Sequence, residues 1–203
     1  MNVDKIINVK YSQNIYLVSD DDNNCFIVDP GAQGQDIIAY IENRDLKPLY
    51  IILTHGHFDH IGAVKEVRDH FDIDLLAPKK EEELLKDPAL NYTSRVGKGI
   101  ELVADRYLED GEEVDFGSEK IKVISTPGHT AGSTCYLVDN KLFSGDTLFK
   151  NSVGRDDLPT GNHEELLESV KILKELDDNI EVFAGHGDPT TIEAEKTYNP
   201  YFK

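Results

Sequence analysis

The segment Thr54–His60, THGHFDH, carries the residues best suited to metal chemistry, with three histidines and one aspartate in seven positions. Imidazole and carboxylate groups are the usual protein ligands of zinc and related divalent metals. In an extended or turning segment His55 and His57 point to the same side, because side chains two positions apart share a face. Asp59 and His60 follow closely enough to reach a second ion. This segment therefore predicts the start of two adjacent metal sites.

Three further candidate ligands lie elsewhere, and each follows a strand pattern that runs into a glycine-containing loop. They are His129 after KVIST, Asp146 after KLFSG and His186 after EVFAG. Such strand ends commonly carry the functional groups of α/β frameworks. A structural histidine, or an aspartate in a turn, explains any one of them alone. Taken together with the first segment, they favour a metal centre. The other two histidines, His70 and His163, are interpreted as surface or helix-capping residues.

Short apolar strands alternate with helical patterns along the whole chain. Strand patterns occur at 14–18, 25–29, 49–53, 120–126, 133–139, 141–146 and 180–187. The first two flank an acidic tip and predict a hairpin. Amphipathic helices are expected around 37–41 and 61–71, and a third begins at Asn162, an N-cap with Glu165 three residues later. The pattern predicts a mixed α/β fold and does not choose among architectures.

Composition limits the classes of function. The chain has 203 residues, 39% of them hydrophobic, and a net charge of −18. We expect one globular domain over 1–203, and the negative charge disfavours binding to nucleic acid. Neither a signal-peptide pattern nor a long apolar run is present, which predicts a cytoplasmic protein without membrane contact. Cys25 and Cys135 are far apart and are predicted to be small buried residues.

Other segments have open interpretations. Arg155 either binds a substrate carboxylate or pairs with a neighbouring acid. The segment 87–100 predicts a loop near the site, in which Tyr92 and Arg95 are either substrate contacts or ordinary surface residues. The acidic segment 79–87 predicts a solvated helix face.

The ordered motifs VDPG, THGHFDH, TPGHTAGS, FSGDTLF, VGRDDLPTGNHEEL, GHGDPTTI and NPYF cover nearly the whole chain. In this order they resemble the metallo-β-lactamase superfamily, and within it the glyoxalase II-like hydrolases. The resemblance implies a four-layer αββα sandwich, with two sheets packed face to face and helices outside. It also implies a dinuclear metal site along one sheet edge.

The resemblance further implies two divalent metal ions, zinc in the first place with iron or manganese as alternatives. It assigns His55, His57 and His129 to the first metal, Asp59, His60 and His186 to the second, and Asp146 to both. A hydroxide bridging the metals would then attack a thioester such as S-lactoylglutathione, or a related acyl-thiol, and release a carboxylate and a thiol. Asp59 would in addition orient that hydroxide or accept its proton.

Departures from related families narrow this interpretation. Asp146 together with His60 disfavours true β-lactamase activity, and His57 stands where the diiron flavoprotein relatives carry glutamate. Only 17 residues follow His186. The chain is therefore similar to the shorter bacterial-type relatives, and a thiol other than glutathione is equally compatible.

Two rival functions remain open. Persulfide dioxygenase relatives share the local motifs but use a single iron at positions corresponding to His55, His129 and Asp146. Imidazole and carboxylate suit zinc, iron and manganese alike, so ligand type does not separate the two. A metal-stabilised scaffold without activity is disfavoured, because structural zinc sites commonly use cysteine ligands. The sequence does not indicate an oligomeric state.

Overall fold

The structure is a computed structural model that describes residues 1–203. The strands are β1 (Asn2–Asn8), β2 (Gln13–Ser19), β3 (Asn24–Val28), β4 (Lys47–Ile52), β5 (Asp74–Pro78), β6 (Arg106–Leu108), β7 (Glu113–Phe116), β8 (Glu119–Ser125), β9 (Thr134–Val138), β10 (Lys141–Gly145), β11 (Leu148–Phe149), β12 (Ser152–Val153), β13 (Glu181–Ala184) and β14 (Thr190–Thr191). The α-helices are α1 (Gly34–Asn43), α2 (Phe58–Ile61), α3 (Val64–Phe71), α4 (Glu82–Lys86), α5 (Thr93–Val96), α6 (His163–Lys174) and α7 (Ile192–Tyr198).

Twelve of these strands form two six-stranded sheets. The first has the order β1-β2-β3-β4-β5-β6, and the second has the order β14-β13-β10-β9-β8-β7. In the first sheet β1, β2 and β3 are antiparallel, whereas β3 to β6 run parallel. In the second sheet only β10 and β13 pair in parallel. The remaining strands, β11 and β12, form a small hairpin.

Strand alternation divides the apolar residues into three cores. Along β2, Ile15 and Leu17 face helices α1 and α3, while Tyr16 and Val18 face the second sheet, because successive strand side chains point to opposite faces. A third core packs the outer face of the second sheet against α6 and α7, which contribute Val170 and Ile192. The layers are therefore helix, sheet, sheet and helix, and the predicted αββα sandwich is confirmed.

Most of the predicted elements are present. The hairpin of β2 and β3, the strand at 49–53 and the helix that begins after Asn162 are confirmed. The helix expected over 61–71 is instead two helices, α2 and α3, with a break at Gly62 and Ala63. Both cysteines are buried and free, as predicted. No helix combines the length and the apolar character that crossing a bilayer requires.

The acidic segment 79–87 differs in one respect from the expectation of a solvated helix face. It forms a short 3₁₀ turn followed by α4, and it has an exposed side that carries Lys79 and Glu83. Glu81, however, is buried together with Leu84 and Leu85, so the prediction was wrong for this glutamate. The three positions lie on one helical face because residues three and four apart are neighbours on a helix.

Candidate metal centre

The seven predicted ligands lie together at one edge of the sandwich. Thr54–His60 follows β4 of the first sheet, while His129, Asp146 and His186 follow β8, β10 and β13 of the second. The last three strands run in the same direction, since β8 and β10 are both antiparallel to β9, and β13 is parallel to β10. Their carboxyl ends therefore meet at the same edge, which explains how residues distant in sequence form one cluster.

Three buried imidazoles form the first triad, which consists of His55, His57 and His129. His57 Nδ1 lies 2.9 Å from His129 Nε2, and that nitrogen lies 3.2 Å from His55 Nε2. Burial lowers the pKa of His57 to about 3, and neighbouring imidazoles contribute to this shift. Burial likewise places the pKa of His55 well below its usual value. Both rings are therefore neutral and have lone pairs available for a cation.

Asp59, His60 and His186 form the second triad beside the first. His186 Nε2 lies 3.2 Å from Asp59 Oδ2, and His60 Nε2 lies 3.9 Å from the same oxygen. Burial alone would raise the pKa of Asp59, but the positive potential of His60 and a hydrogen bond from His186 lower it below its usual value. The carboxylate of Asp59 is therefore ionised.

Asp146 lies between the two triads. Its Oδ1 is 3.4 Å from His60 Nε2, and its Oδ2 is 3.6 Å both from His129 Nε2 and from His186 Nε2. Burial would raise the pKa of this carboxyl, but the positive potential of His60 and the neighbouring histidines holds it far below the usual range. One carboxylate thus faces ligand atoms of both triads.

Backbone and side-chain acceptors orient four of the five histidines through their Nδ1 atoms. The pairs are His55 with Thr54 Oγ1 at 3.1 Å, His60 with Asp29 Oδ2 at 2.9 Å, His129 with the Arg155 carbonyl at 2.6 Å and His186 with the Ser12 carbonyl at 3.1 Å. Such partners fix the ring orientation and the tautomer of a metal-binding histidine. They leave Nε2 directed into the centre. His57 is the exception, because its Nδ1 is the atom directed into the centre, toward His129 Nε2.

The donor set fits divalent cations. His60 Nε2 and Asp146 Oδ1 are buried and have no hydrogen-bond partner, which is costly unless another group satisfies them. Nitrogens bound to one zinc ion at about 2.0–2.1 Å in a tetrahedron are about 3.3 Å apart. The separations of 2.9 and 3.2 Å within the first triad are close to that value. The residues present are therefore suited to bind two adjacent cations.

Sequence reasoning missed Asp29 as a site residue. It is buried at the end of β3, and its Oδ1 accepts a hydrogen bond from the Thr54 amide at 2.7 Å. Its Oδ2 accepts from Thr54 Oγ1 at 2.6 Å and from His60 Nδ1. The available indication was an aspartate directly after a buried apolar strand. The sequence Asp29–Pro30–Gly31 is typical of a turn, and the backbone φ of 49° at Asp29 fits that turn.

A cleft of about 320 Å³ opens onto the two triads. Its lining comprises His57, Phe58, Asp59, His129, Asp146, Phe149, Arg155, Leu158 and His186. Arg155 is exposed at the mouth of the cleft, and its guanidinium pairs with Asp157 through bonds of 2.7 and 2.8 Å. Arg155 therefore has both of the features that the sequence left as alternatives: it lines the cleft, and it pairs with a neighbouring acid.

The segment 87–100 does lie near the site, as expected. The Tyr92 ring is 6.3 Å from the ring of His57, and the Arg95 guanidinium lies 4.2 Å over the Tyr92 ring. Substrate contacts of these two residues stay a prediction. The remaining two histidines are exposed and lie outside the cluster. His70 pairs with Glu42, and His163 pairs with Asp156.

Comparison with known proteins agrees with this geometry. A family model described as the metallo-beta-lactamase superfamily matches residues 9–186. The probable metallo-hydrolase YqgX of Bacillus subtilis is 41% identical over 192 residues, which cover 92% of this chain and 90% of that protein. The hydroxyacylglutathione hydrolase GloC of Haemophilus influenzae is 34% identical over 207 residues, which cover 99% of this chain and 98% of that protein.

Solved structures show the same fold. The B3 metallo-beta-lactamase BLEG-1 superposes with a TM-score of 0.93 at 40% identity, and the match covers 100% of both chains. The protein TTHA1623, solved in a di-iron-bound form, gives a TM-score of 0.86 at 32% identity over 99% of this chain and 100% of that one. Together with the histidine–aspartate cluster, these matches show that the chain belongs to the metallo-β-lactamase superfamily and is a metallo-hydrolase.

Proposed function

We propose that this metallo-hydrolase cleaves thioesters between a small acyl group and a low-molecular-weight thiol, with S-lactoylglutathione as the reference substrate. The observation that carries the proposal is the position of Asp146 between two complete triads, which provides for two metal ions instead of one. The similarity to a hydroxyacylglutathione hydrolase along almost the full length of both chains supports the choice of substrate class. A cytoplasmic location, where small thiols are reduced, belongs to the same proposal.

In this proposal the first triad would hold one divalent ion, the second triad would hold another, and Asp146 would be available as a ligand to either. Zinc is the first expectation for the metal, with iron and manganese as alternatives. Such ions lower the pKa of bound water and polarise a carbonyl oxygen. The protein contributes neutral imidazoles, ionised carboxylates and the hydrogen bonds that orient them.

Asp59 is the proposed catalytic carboxylate. It is ionised and lines the cleft, so it can accept a hydrogen bond from the attacking water and direct its oxygen toward the substrate. The water oxygen bonds to the acyl carbon, and the carbon–sulfur bond breaks. The products are a carboxylate and a thiol; of the two protons of the water, one leaves on the thiol and the other is released to solvent by way of Asp59.

The other residues of the cleft are proposed to contact two different parts of the substrate. Phe58, Phe149 and Leu158 provide apolar contacts beside the metal ligands. Arg155 at the mouth is proposed to bind a carboxylate of the thiol portion after it exchanges its exposed partner Asp157, because guanidinium groups bind carboxylates through paired hydrogen bonds. The pair with Asp157 is exposed, so this exchange costs little.

The test combines metal analysis with a hydrolysis assay. Protein purified without added metal is analysed for metal content and then assayed for thiol release from S-lactoylglutathione, before and after chelation. We expect two metal ions per chain, activity that chelation removes, and loss of activity in Asp146→Asn. His70→Ala is the matched control, since it removes an exposed histidine that pairs only with Glu42.

Two other outcomes would replace the proposal. One iron ion per chain, oxygen uptake with a glutathione persulfide and no thioester hydrolysis would indicate the dioxygenase chemistry. Hydrolysis of a chromogenic β-lactam without thioester hydrolysis would indicate an activity like that named for BLEG-1. Asp146 together with His60 leads us to expect no β-lactam hydrolysis, and the complete second triad favours thioester hydrolysis over the dioxygenase chemistry.

A further inference from the structure

The buried carboxylate of Glu81 joins two loops that carry candidate metal ligands. Its Oε2 accepts a hydrogen bond of 2.8 Å from the amide of Gly56, the residue between His55 and His57. Its Oε1 accepts bonds of 2.8 Å from Thr130 Oγ1 and 2.9 Å from the Gly132 amide. Thr130 directly follows His129 in the chain. Glu81 therefore contacts the immediate chain neighbours of all three histidines of the first triad, although it is not itself a ligand.

The two loops are shaped for this close approach. A Cβ atom on Gly132 would lie 2.5 Å from Glu81 Oε1 and 2.7 Å from the Glu81 amide nitrogen. A Cβ atom on Gly56 would lie 2.6 Å from Leu84 Cδ2 and 2.9 Å from Leu85 Cδ2. Side chains at either glycine would separate the loops from the start of α4. The packing around both glycines thus agrees with the hydrogen bonds in identifying a tight junction at Glu81.

No cation pairs with this carboxylate. Glu81 is absent from every ion pair of the structure, and burial raises its pKa while the three hydrogen bonds oppose that rise. Leaving a carboxyl buried without a counter-charge is costly, and a leucine in its place would add apolar contact instead. The geometry therefore favours a role that depends on the two acceptor oxygens.

The hydrogen bonds that orient the two histidines of the second triad do not involve this junction. Asp29 orients His60, and the Ser12 carbonyl orients His186, and neither partner contacts Glu81. Removal of the Glu81 carboxylate should consequently act on one triad and spare the other. This asymmetry separates a positioning role from a general contribution to stability.

We propose that Glu81 is a positioning residue that holds the His57 loop and the His129 loop on one carboxylate and so sets the geometry of the first triad. The inference rests on the proposed metal site and not on the thioester substrate. Other contacts also join these loops, among them the hydrogen bond of 3.0 Å from the Thr134 amide to the Thr54 carbonyl. Glu81 adds to that bond at the residues that adjoin the candidate ligands His55, His57 and His129 in the chain.

Glu81→Gln tests the proposal with little change in shape. The amide nitrogen of glutamine cannot accept, so it faces an amide N–H of Gly56 or of Gly132 and breaks one side of the junction. Glu195→Gln is the matched control. Glu195 is also buried and accepts three hydrogen bonds, from the Asn151 amide, Thr190 Oγ1 and Asn199 Nδ2, none of which belongs to a candidate ligand.

The first readout is metal binding by metal-free protein. In Glu81→Gln we expect one of two bound cobalt(II) ions to bind about tenfold more weakly, with an altered visible spectrum, while the other binds as in the wild type. In the assay kcat should fall while KM is unchanged. Glu195→Gln should bind both ions as the wild type does. Wild-type metal binding in Glu81→Gln, with a loss of stability like that of Glu195→Gln, would overturn the proposal.

The second readout needs no metal. The imidazole ¹⁵N signals of His57 and His129 should move in metal-free Glu81→Gln, whereas those of His60 and His186 should stay in place. This result remains informative even if the wild-type chain binds no metal, in which case the proposed function fails and the positioning role is judged separately. If Glu81→Gln does not fold, Thr130→Val removes one of the three donors and should give smaller shifts of the same two signals. Unmoved signals in the folded variant would contradict the role.

Discussion

Asp29 shows how much of the centre depends on a residue that binds no metal in our assignment. Its two oxygens accept three hydrogen bonds, which orient Thr54 and His60. Thr54 in turn contacts His55 Nδ1 at 3.1 Å. A single carboxylate thereby reaches one histidine in each triad, directly in one case and through a hydroxyl in the other.

We predict that Asp29→Asn weakens metal binding at the second triad. The new amide either opposes the Thr54 donors or donates to His60 Nδ1, which would move the ring proton to Nε2 and block the ligand atom. Changes to such outer partners typically cost 10- to 100-fold in metal affinity, and we expect about that loss. Zinc titration against a chromophoric chelator measures it. Asp69→Asn, at an exposed pair with Lys65, serves as the control. Equal affinities in both variants would contradict the assignment.

Metal binding should also depend on pH. Burial alone would lower the pKa of His60, but the carboxylates of Asp146, Asp59 and Asp29 raise it well above its usual value. Burial would also lower the pKa of His186, but a hydrogen bond to Asp59 helps to raise it. Metal-free protein therefore retains protons on these rings above the usual histidine range, and a cation must displace them. Affinity should rise as the pH increases through and above the ordinary histidine range, with proton release on binding. A pH-independent zinc affinity measured by chelator competition would refute this expectation.

Elements with a strong local pattern were predictable, and those shaped by distant contacts were not. The helix after Asn162 has a capping side chain and an apolar stripe, and both are present in α6. The break between α2 and α3 has no such local cause. The break lies where the Pro30–Gly31 turn packs against the helix. The Pro30 carbonyl accepts a hydrogen bond from the Ala63 amide. A Cβ atom on Gly62 would lie 2.2 Å from the Gly31 carbonyl oxygen.

The first strand was missed for a related reason. β1 is an edge strand in which buried, partly buried and exposed positions follow no regular alternation, so its sequence lacks the period of two that identifies a half-buried strand. Its pairing with β2 over seven residue pairs places it in the sheet. The tertiary partner, and not the local pattern, determines this element.

We predict that Asn162→Ala lowers stability without affecting the metal centre. The side chain accepts bonds of 3.0 and 3.2 Å from the Glu164 and Glu165 amides, and loss of such an N-cap costs about 1 kcal/mol. The backbone bond of 2.8 Å from the Asn162 amide to the Gly128 carbonyl does not involve the side chain. Urea unfolding should therefore show the loss of stability while zinc affinity stays at the wild-type value. A drop in zinc affinity would mean that the cap also supports the His129 loop.

At the scale of the whole molecule, the sequence predicted which candidate ligands come together better than it predicted their surroundings. All seven residues meet at one edge, because imidazole and carboxylate types at strand ends are visible in the sequence. The Ser12 and Arg155 carbonyls orient two histidines through the backbone, which no residue type reveals. Glu81 lies in an acidic run, and the only indication of its burial in the sequence is its spacing of three and four residues from Leu84 and Leu85, which are also buried.

The centre also joins the two sheets, which predicts that metal stabilises the fold. His55 to His60 come from the first sheet, whereas His129, Asp146 and His186 come from the second, so a cation bound by both sets connects the two halves of the sandwich. An unfolded chain holds no such preformed set. A ligand that binds only the folded state at 100 times its Kd adds about 2.7 kcal/mol to the free energy of unfolding.

Chelation should therefore lower the urea midpoint of unfolding, and added zinc should restore it. The gain should be smaller in His129→Ala, which keeps the second triad but removes a ligand contributed by the second sheet, and it should be unchanged in His70→Ala. The increment should grow with the logarithm of free zinc concentration, as mass action requires. An identical midpoint with and without metal would mean that the cations do not link the sheets, and that direct contacts hold this edge together, among them the hydrogen bonds of Glu81 and the bond from the Thr134 amide to the Thr54 carbonyl.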